Sequence, residues 1–268
     1  MSIDANALRV RKRRLRESSL NIALGAGVFI VLFTAWELSA RSGLVNPLFS
    51  SSPSLILHAA EEVIADGTLW NHMIASGKTF LIGFAMAVSF GVPFGVALGW
   101  FKWMNRAFSP LVSAFYTTPR IALMPLFIIW FGLGMGSKVT LVFMSGVFYL
   151  IMNMQMAMLT IDEDLKRVGV AYGASRWQLF RTIALPQSIP FLLTGLRLAM
   201  GRCLLGMVAA EVFGGAEGIG YLIEYAGATF RTDLVFVGVF VIAVFGIIAD
   251  RTLYYLNLRV DSWRGVNA

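Results

Sequence analysis

Asp162–Pro186 reads DEDLKRVGVAYGASRWQLFRTIALP, a polar and basic island between two long apolar runs. Asp162 or Asp164 can cap a helix whose apolar residues are Leu165, Val168 and Tyr172. Gly173 suits a left-handed position just past that helix, where a Cβ would be strained. Ser175 is a good N-cap for a second helix, which places Trp177, Phe180 and Ile183 on one face. Pro186 is expected to end it. The island therefore reads as two short helices bent at a glycine, exposing an aromatic and basic surface. Helix-turn-helix DNA readers share this rhythm. The flanking runs, Val139 to about Leu159 and about Ile189 to Ala210, argue against that use, because each is long enough to cross a bilayer.

The rest of the chain extends this pattern. Of 268 residues, 57% are hydrophobic and 14% charged, against roughly 25% charged in soluble domains. Lipid is the solvent that accepts so much apolar surface. Six spans are expected: about Ser19–Ser39, Thr79–Phe101, Ala107–Phe131, Val139–Leu159, Ile189–Ala210 and Leu234–Ala249. The third is broken by Pro119-Arg120 and Pro125. No strand-like alternation is present, so the fold class is an all-α membrane protein of six transmembrane helices.

Lys and Arg set the expected orientation. Residues 1–18 form a basic tail with Arg9, Arg11, Lys12, Arg13, Arg14 and Arg16. Lys102, Arg106, Lys166, Arg167, Arg176, Arg181, Arg251, Arg259 and Arg264 lie on the same side. That makes 15 cations against four on the other side, Arg41, Lys78, Lys138 and Arg231. Both termini and the island are then cytoplasmic. Residues 19–258 are expected to form one membrane domain containing the loop 162–186, and 259–268 a second cytoplasmic tail. Gly43 to Gly77 is external, with a short amphipathic helix in SLILHAAEEVIADG. The first apolar run is too long for a cleaved signal peptide.

Several residues inside or beside the spans are candidates for function. Gly91, Gly95 and Gly99 allow close helix packing. Arg120, Arg197 and Arg202 place charge at membrane depth, where it marks a translocation pathway by default. Glu211 is either a further pathway residue or a cap or ion-pair partner near the outer end of span five, and Arg197 and Arg202 can each pair with it. Cys203 reads as a packing residue. No metal pattern is present. GLGMGSKV at Gly132–Val139 and Gly77-Lys78-Thr79 are incomplete phosphate loops, since the first lacks Gly-Lys and His72 replaces the first glycine of the second. No cofactor is expected on this chain.

Gly173, Ile183, Leu185 and Pro186 reproduce G-x9-I-x-LP, so the island resembles the EAA loop of permease subunits of ATP-binding cassette (ABC) importers. Arg167, Val168 and Gly169 stand where that motif has EAA. SSPSLIL at Ser51–Leu57, Pro119–Lys138, LTGLRLAMGR at Leu193–Arg202 and AAEVFGGAEGIGYLI at Ala209–Ile223 resemble the nitrate/sulfonate/taurine type of these importers, together covering about Leu44 to Arg264. The resemblance implies a type I (MetI-like) architecture in a bacterial inner membrane. It implies a permease homodimer with two ATPase subunits that hold ATP-Mg, and a periplasmic or lipid-anchored substrate-binding protein. The solute is expected to be small and anionic. The loop would be a coupling helix, with Gly173 as the bend, Ala174 and Ser175 starting the docking segment and Leu185-Pro186 joining it to span five. Trp177, Phe180 and Ile183 would supply its apolar anchors. The alternative, a secondary active transporter, predicts inverted repeats and midplane acids. The sequence contains no repeat and few acids within its spans.

Overall fold

The computed structural model describes residues 24–263, with side chains described up to Tyr255 apart from Pro47. The expected tail 1–18, the first residues of span one and residues 264–268 lie outside the described residues. The chain divides into two compact units, residues 1–62 with 226–237 and residues 63–225 with 238–268.

The first unit contains α1 (Leu24–Arg41), α2 (Pro47–Ser50) and most of α3 (Pro53–Ala65). The end of α11 (Ile219–Ala228) and the first turn of α12 (Thr232–Trp263) also belong to it. Glu37 accepts hydrogen bonds from the Ser54 amide at 3.0 Å and the Ser54 hydroxyl at 2.7 Å. The carboxylate at the end of span one therefore satisfies free donors in the first turn of α3. Arg231 bridges Asp233 and Glu62.

The second unit is built on α4 (Thr68–Trp100), α7 (Met135–Leu159) and α10 (Leu185–Gly214). In lipid, helices associate through close packing, so small residues decide the seams. On α4 these recur at every fourth position, Gly83, Ala87, Gly91, Gly95 and Gly99. A Cβ on Gly91 would stand 2.9 Å from that of Leu150, and one on Gly95 would stand 2.6 Å from the Ile151 carbonyl oxygen. The expected glycine stripe is thus the α4–α7 seam within one chain, and it begins earlier than Gly91. Partner numbers rise together along this seam, so α4 and α7 are parallel. Gly195 meets Asn153 while Gly206 meets Ser145, so α10 is antiparallel to α7.

Two parallel helices require the intervening chain to return across the membrane. That crossing falls to α5 (Lys102–Thr117), a 3-10 turn at Arg120–Leu123 and α6 (Met124–Phe131), bent by 89°. Among the described residues, five helices are long and apolar enough to span, and this bent pair makes the sixth. The break lies at Thr118-Pro119. Pro125 begins α6 rather than breaking it, since a proline in the first turn loses no helical hydrogen bond.

Two further boundaries differ from expectation. α4 starts at Thr68 rather than Thr79, and its 33 residues extend about 50 Å, well past a hydrocarbon core of ~30 Å. Hydropathy marked the lipid edge, not the helix end. Pro186 does not end a helix either. A π-helical turn, Phe180–Ala184, precedes it, and residues 176–214 run on continuously. The Leu185 amide reaches back to the Phe180 carbonyl. A π turn is a recognised way to pass a local conflict in the ladder, and proline tolerates the first turn that follows.

Candidate functional site

The island folds as α8 (Glu163–Ala171) and α9 (Arg176–Leu179). Asp162 caps α8, accepting from the Asp164 amide at 2.8 Å. Its other end is a complete Schellman motif, with the Ala174 amide bonded to the Gly169 carbonyl at 3.0 Å and the Gly173 amide to that of Val170 at 2.9 Å. Gly173 has φ +78, the left-handed region. Ser175 and Gln178 form a capping box at the start of α9. Gly169 also lets the Leu179 side chain lie close against α8, since a Cβ there would displace its tip.

These caps fix which apolar residues turn inward. Phe180 stacks edge-on against Trp100 at 5.0 Å, and with Ile183 it packs against the buried cluster of Met158, Ile161 and Ala184. Both are partly covered by the chain's own helices, unlike Trp177. Ala174 and Pro186 are partly covered, while Ser175 and Leu185 are exposed at the margins of the segment. Outward lie Leu165, Val168 and Tyr172, a stripe on one face of α8, and Trp177 on α9. Tyr172 is 89% exposed and Trp177 65%. No residue of α8 is buried. Lys166 and Arg167 are taken up by Glu163 and Asp164 at 2.8 and 3.6 Å. The hydrogen bond from Lys166 holds the Glu163 carboxyl below the usual carboxylate range. Arg176 and Arg181 carry no such partner among the described residues and leave the surface basic.

The charged residues of the spans separate into three places. Arg197 makes a two-pronged ion pair to Asp250 of α12 at 2.6 and 2.9 Å. It is an interhelical tie, not a partner of Glu211. Glu211 is wholly buried, and its Oε2 accepts from the Ser76 hydroxyl at 2.9 Å and the Gly220 amide at 2.8 Å. Ser76 in turn accepts from the Ile219 amide at 2.8 Å. Glu211 thus caps the start of α11 and fixes the Gly-rich turn through Oε2, while its buried Oε1 has no partner among the described residues. Nearby, Asn71, His72, Lys78, Lys138, Phe213 and Glu217 border a cavity of about 830 Å³ at the end of the bundle remote from α8.

Arg120 and Arg202 do come together. Arg120 donates to the Tyr116 and Phe115 carbonyls at 2.7 and 3.3 Å, closing the end of α5 at the break. Its guanidinium lies 5.3 Å from the Tyr149 ring centre, and that of Arg202 lies 5.1 Å from the same ring. Neither has a carboxylate partner among the described residues. Sequence reading passed over Tyr149, Ser76 and Asp250. A polar-tipped aromatic in the middle of an apolar run was the available signal for Tyr149.

Residues 91–262 match the family model described as binding-protein-dependent transport system inner membrane component. The chain is 31% identical to the taurine transport system permease protein TauC of Escherichia coli (strain K12), over 96% of each. It is 29% identical to SsuC of Bacillus subtilis (strain 168), a permease named for aliphatic sulfonates transport, over 97% of this chain and 94% of that one. A solved structure of the MetNI methionine ABC transporter in an inward-facing conformation superposes with TM-score 0.58 at 18% identity. It covers 70% of this chain and 95% of that one, and shows the shared fold.

Proposed function

The chain belongs to the family of inner-membrane components of binding-protein-dependent transport systems, and from that premise we propose that it imports a small anionic solute by docking a separate ATPase on α8 and α9. As an ABC importer permease it is a multi-pass membrane protein and not itself an enzyme, with ATP hydrolysis in a partner subunit. The proposed assembly is two copies of this chain, two ATPases and a substrate-binding protein. Both termini and the island face the cytoplasm, in keeping with the 15-to-four distribution of Lys and Arg. The TauC and SsuC likeness supports a taurine-like or sulfonate-like solute. The family leaves the secondary-transporter reading without support.

The observation that carries the docking reading is the exposed stripe Leu165, Val168 and Tyr172 with Trp177 beside it. A soluble loop keeps such a stripe uncovered at a cost, and a buried aromatic cluster is what an interface centre uses. Gly173 sets the angle between the two helices that present it. Motion of a docked ATPase would pass through the continuous helix 176–214 to the middle of the bundle. Capture of the partner ATPase by wild-type chain and by the Tyr172→Asp, Trp177→Asp double variant tests this. The variant is expected to lose capture while remaining monodisperse in detergent. Undiminished capture would sink the assignment.

A further inference from the structure

Of the three arginines within the spans, Arg120 and Arg202 have no carboxylate partner among the described residues once Arg197 is given to Asp250. Resting on the permease reading above, we propose that Arg120 and Arg202, both placed on the ring of Tyr149, form an anion-binding station midway along the translocation path. Its ligand would be a small solute bearing a sulfonate-type oxyanion.

Depth is the first argument. Tyr149 is near the middle of the 25-residue α7 and Arg202 near the middle of the 30-residue α10. At 1.5 Å per residue, Tyr149 lies roughly 15–20 Å from either end of its helix. Arg120 reaches the same level from the break between α5 and α6. All three side chains therefore meet close to the bilayer centre, where one crossing is interrupted.

Charge is the second. Both side chains are cationic guanidinium groups. The aromatic rings of Tyr149, Tyr116 and Phe148 hold the two groups in place by cation–π contact. Such contacts orient a cation without cancelling its charge. The two guanidinium carbons share one ring at 5.3 and 5.1 Å. With a guanidinium on that ring from each side chain and no carboxylate beside either among the described residues, the local field is positive and favours an anion. Guanidinium also matches oxyanions better than ammonium does, through paired donors. The Arg120 Nε is buried without an acceptor, the kind of donor that an oxyanion oxygen would satisfy.

Exposure is the third. Arg202 is exposed on the surface of the single chain, and Leu198 and Leu205 are exposed on its face of α10 at 49% and 61%. An unpaired arginine facing lipid at that depth is strongly disfavoured, so this face opens onto water or protein. Where that face meets water, the uncompensated positive charge of Arg202, with Arg120 behind it, selects against cations and concentrates anions.

The test uses the full chain in membrane vesicles, with Cys203→Ala and a cysteine at Leu205, one turn from Arg202. The probes are a methanethiosulfonate carrying a sulfonate and its counterpart carrying an ammonium. The sulfonate reagent is expected to react about tenfold faster. Arg202→Gln should erase that preference and Arg202→Lys should keep it. Added methanesulfonate should slow the reaction, and Arg120→Gln should weaken this protection. No reaction with either reagent would overturn the proposal, as would a preference that survives Arg202→Gln or is lost equally with lysine. ATPase capture is scored separately. Its failure beside an intact preference would remove the docking reading of α8 and α9 and leave the anion station standing.

Discussion

Replacing Trp177 by alanine separates a docking surface from a packing surface, because its neighbour Phe180 does the opposite job. Trp177 is 65% exposed, and a tryptophan presents up to about 250 Å². About 160 Å² of it is therefore left for a partner to cover. At ~25 cal/mol per Å² the upper bound is about 4 kcal/mol. The residual alanine and the ordering of the segment on association reduce this to about 2 kcal/mol, a roughly thirtyfold rise in Kd for the ATPase. The melting temperature of the isolated chain should hardly move. Phe180→Ala instead empties a partly buried site between Trp100 and Trp177. It should cost about 2 kcal/mol of stability and lower the Tm by about 5 °C. Equilibrium binding of the purified ATPase to each variant in nanodiscs, with thermal melts of the same samples, gives both quantities. If Trp177→Ala lowered Tm as much as Phe180→Ala and left Kd unchanged, the outward assignment of Trp177 would be refuted.

Four other outcomes follow from the geometry. Gly173→Val puts a β-branched residue at φ +78, costing about 2 kcal/mol locally, and should reduce ATPase affinity with the helical content of the spans preserved. Gly95→Leu sets a side chain against the Ile151 carbonyl, a backbone atom that cannot step aside, and should abolish monodisperse expression. Gly77→Leu, with nothing within 4 Å, should be tolerated in the same screen. Glu211→Gln keeps an acceptor for Ser76 and Gly220 and should melt near wild type, whereas Glu211→Ala strands both donors and should lose about 3 kcal/mol. A double-mutant cycle on Arg197 and Asp250 should return a favourable coupling that weakens as salt is raised.

The sequence disclosed what depends on neighbours along the chain. The spans follow from hydropathy, and Asp162, Gly173 and Ser175 declared the caps of α8 and α9 because capping uses residues within a turn. Small residues at four-residue spacing declared the α4 seam, although not its start at Gly83. Pairings across the bundle were not legible. Arg197 finds Asp250 53 positions away, and Glu211 finds Ser76 135 positions away. Such partners are chosen by helix packing, which local spacing does not encode. Helix periodicity put Trp177, Phe180 and Ile183 on one face, and Trp177 does stack on Phe180 at 5.5 Å. Spacing along the chain could not show that Phe180 and Ile183 are partly covered by distant helices while Trp177 at the edge stays exposed. Pro186 misled because the π turn before it removes the conflict that normally stops a helix.

Uptake of radiolabelled taurine into proteoliposomes bears most directly on the central claim. The chain would be reconstituted with its binding protein, with and without the ATPase, under ATP or under an ion gradient. Uptake is expected only with the ATPase and ATP together, and it should vanish in the Tyr172→Asp, Trp177→Asp variant. Uptake by the chain alone under an ion gradient, or ATP-driven uptake undiminished in that variant, would contradict the account.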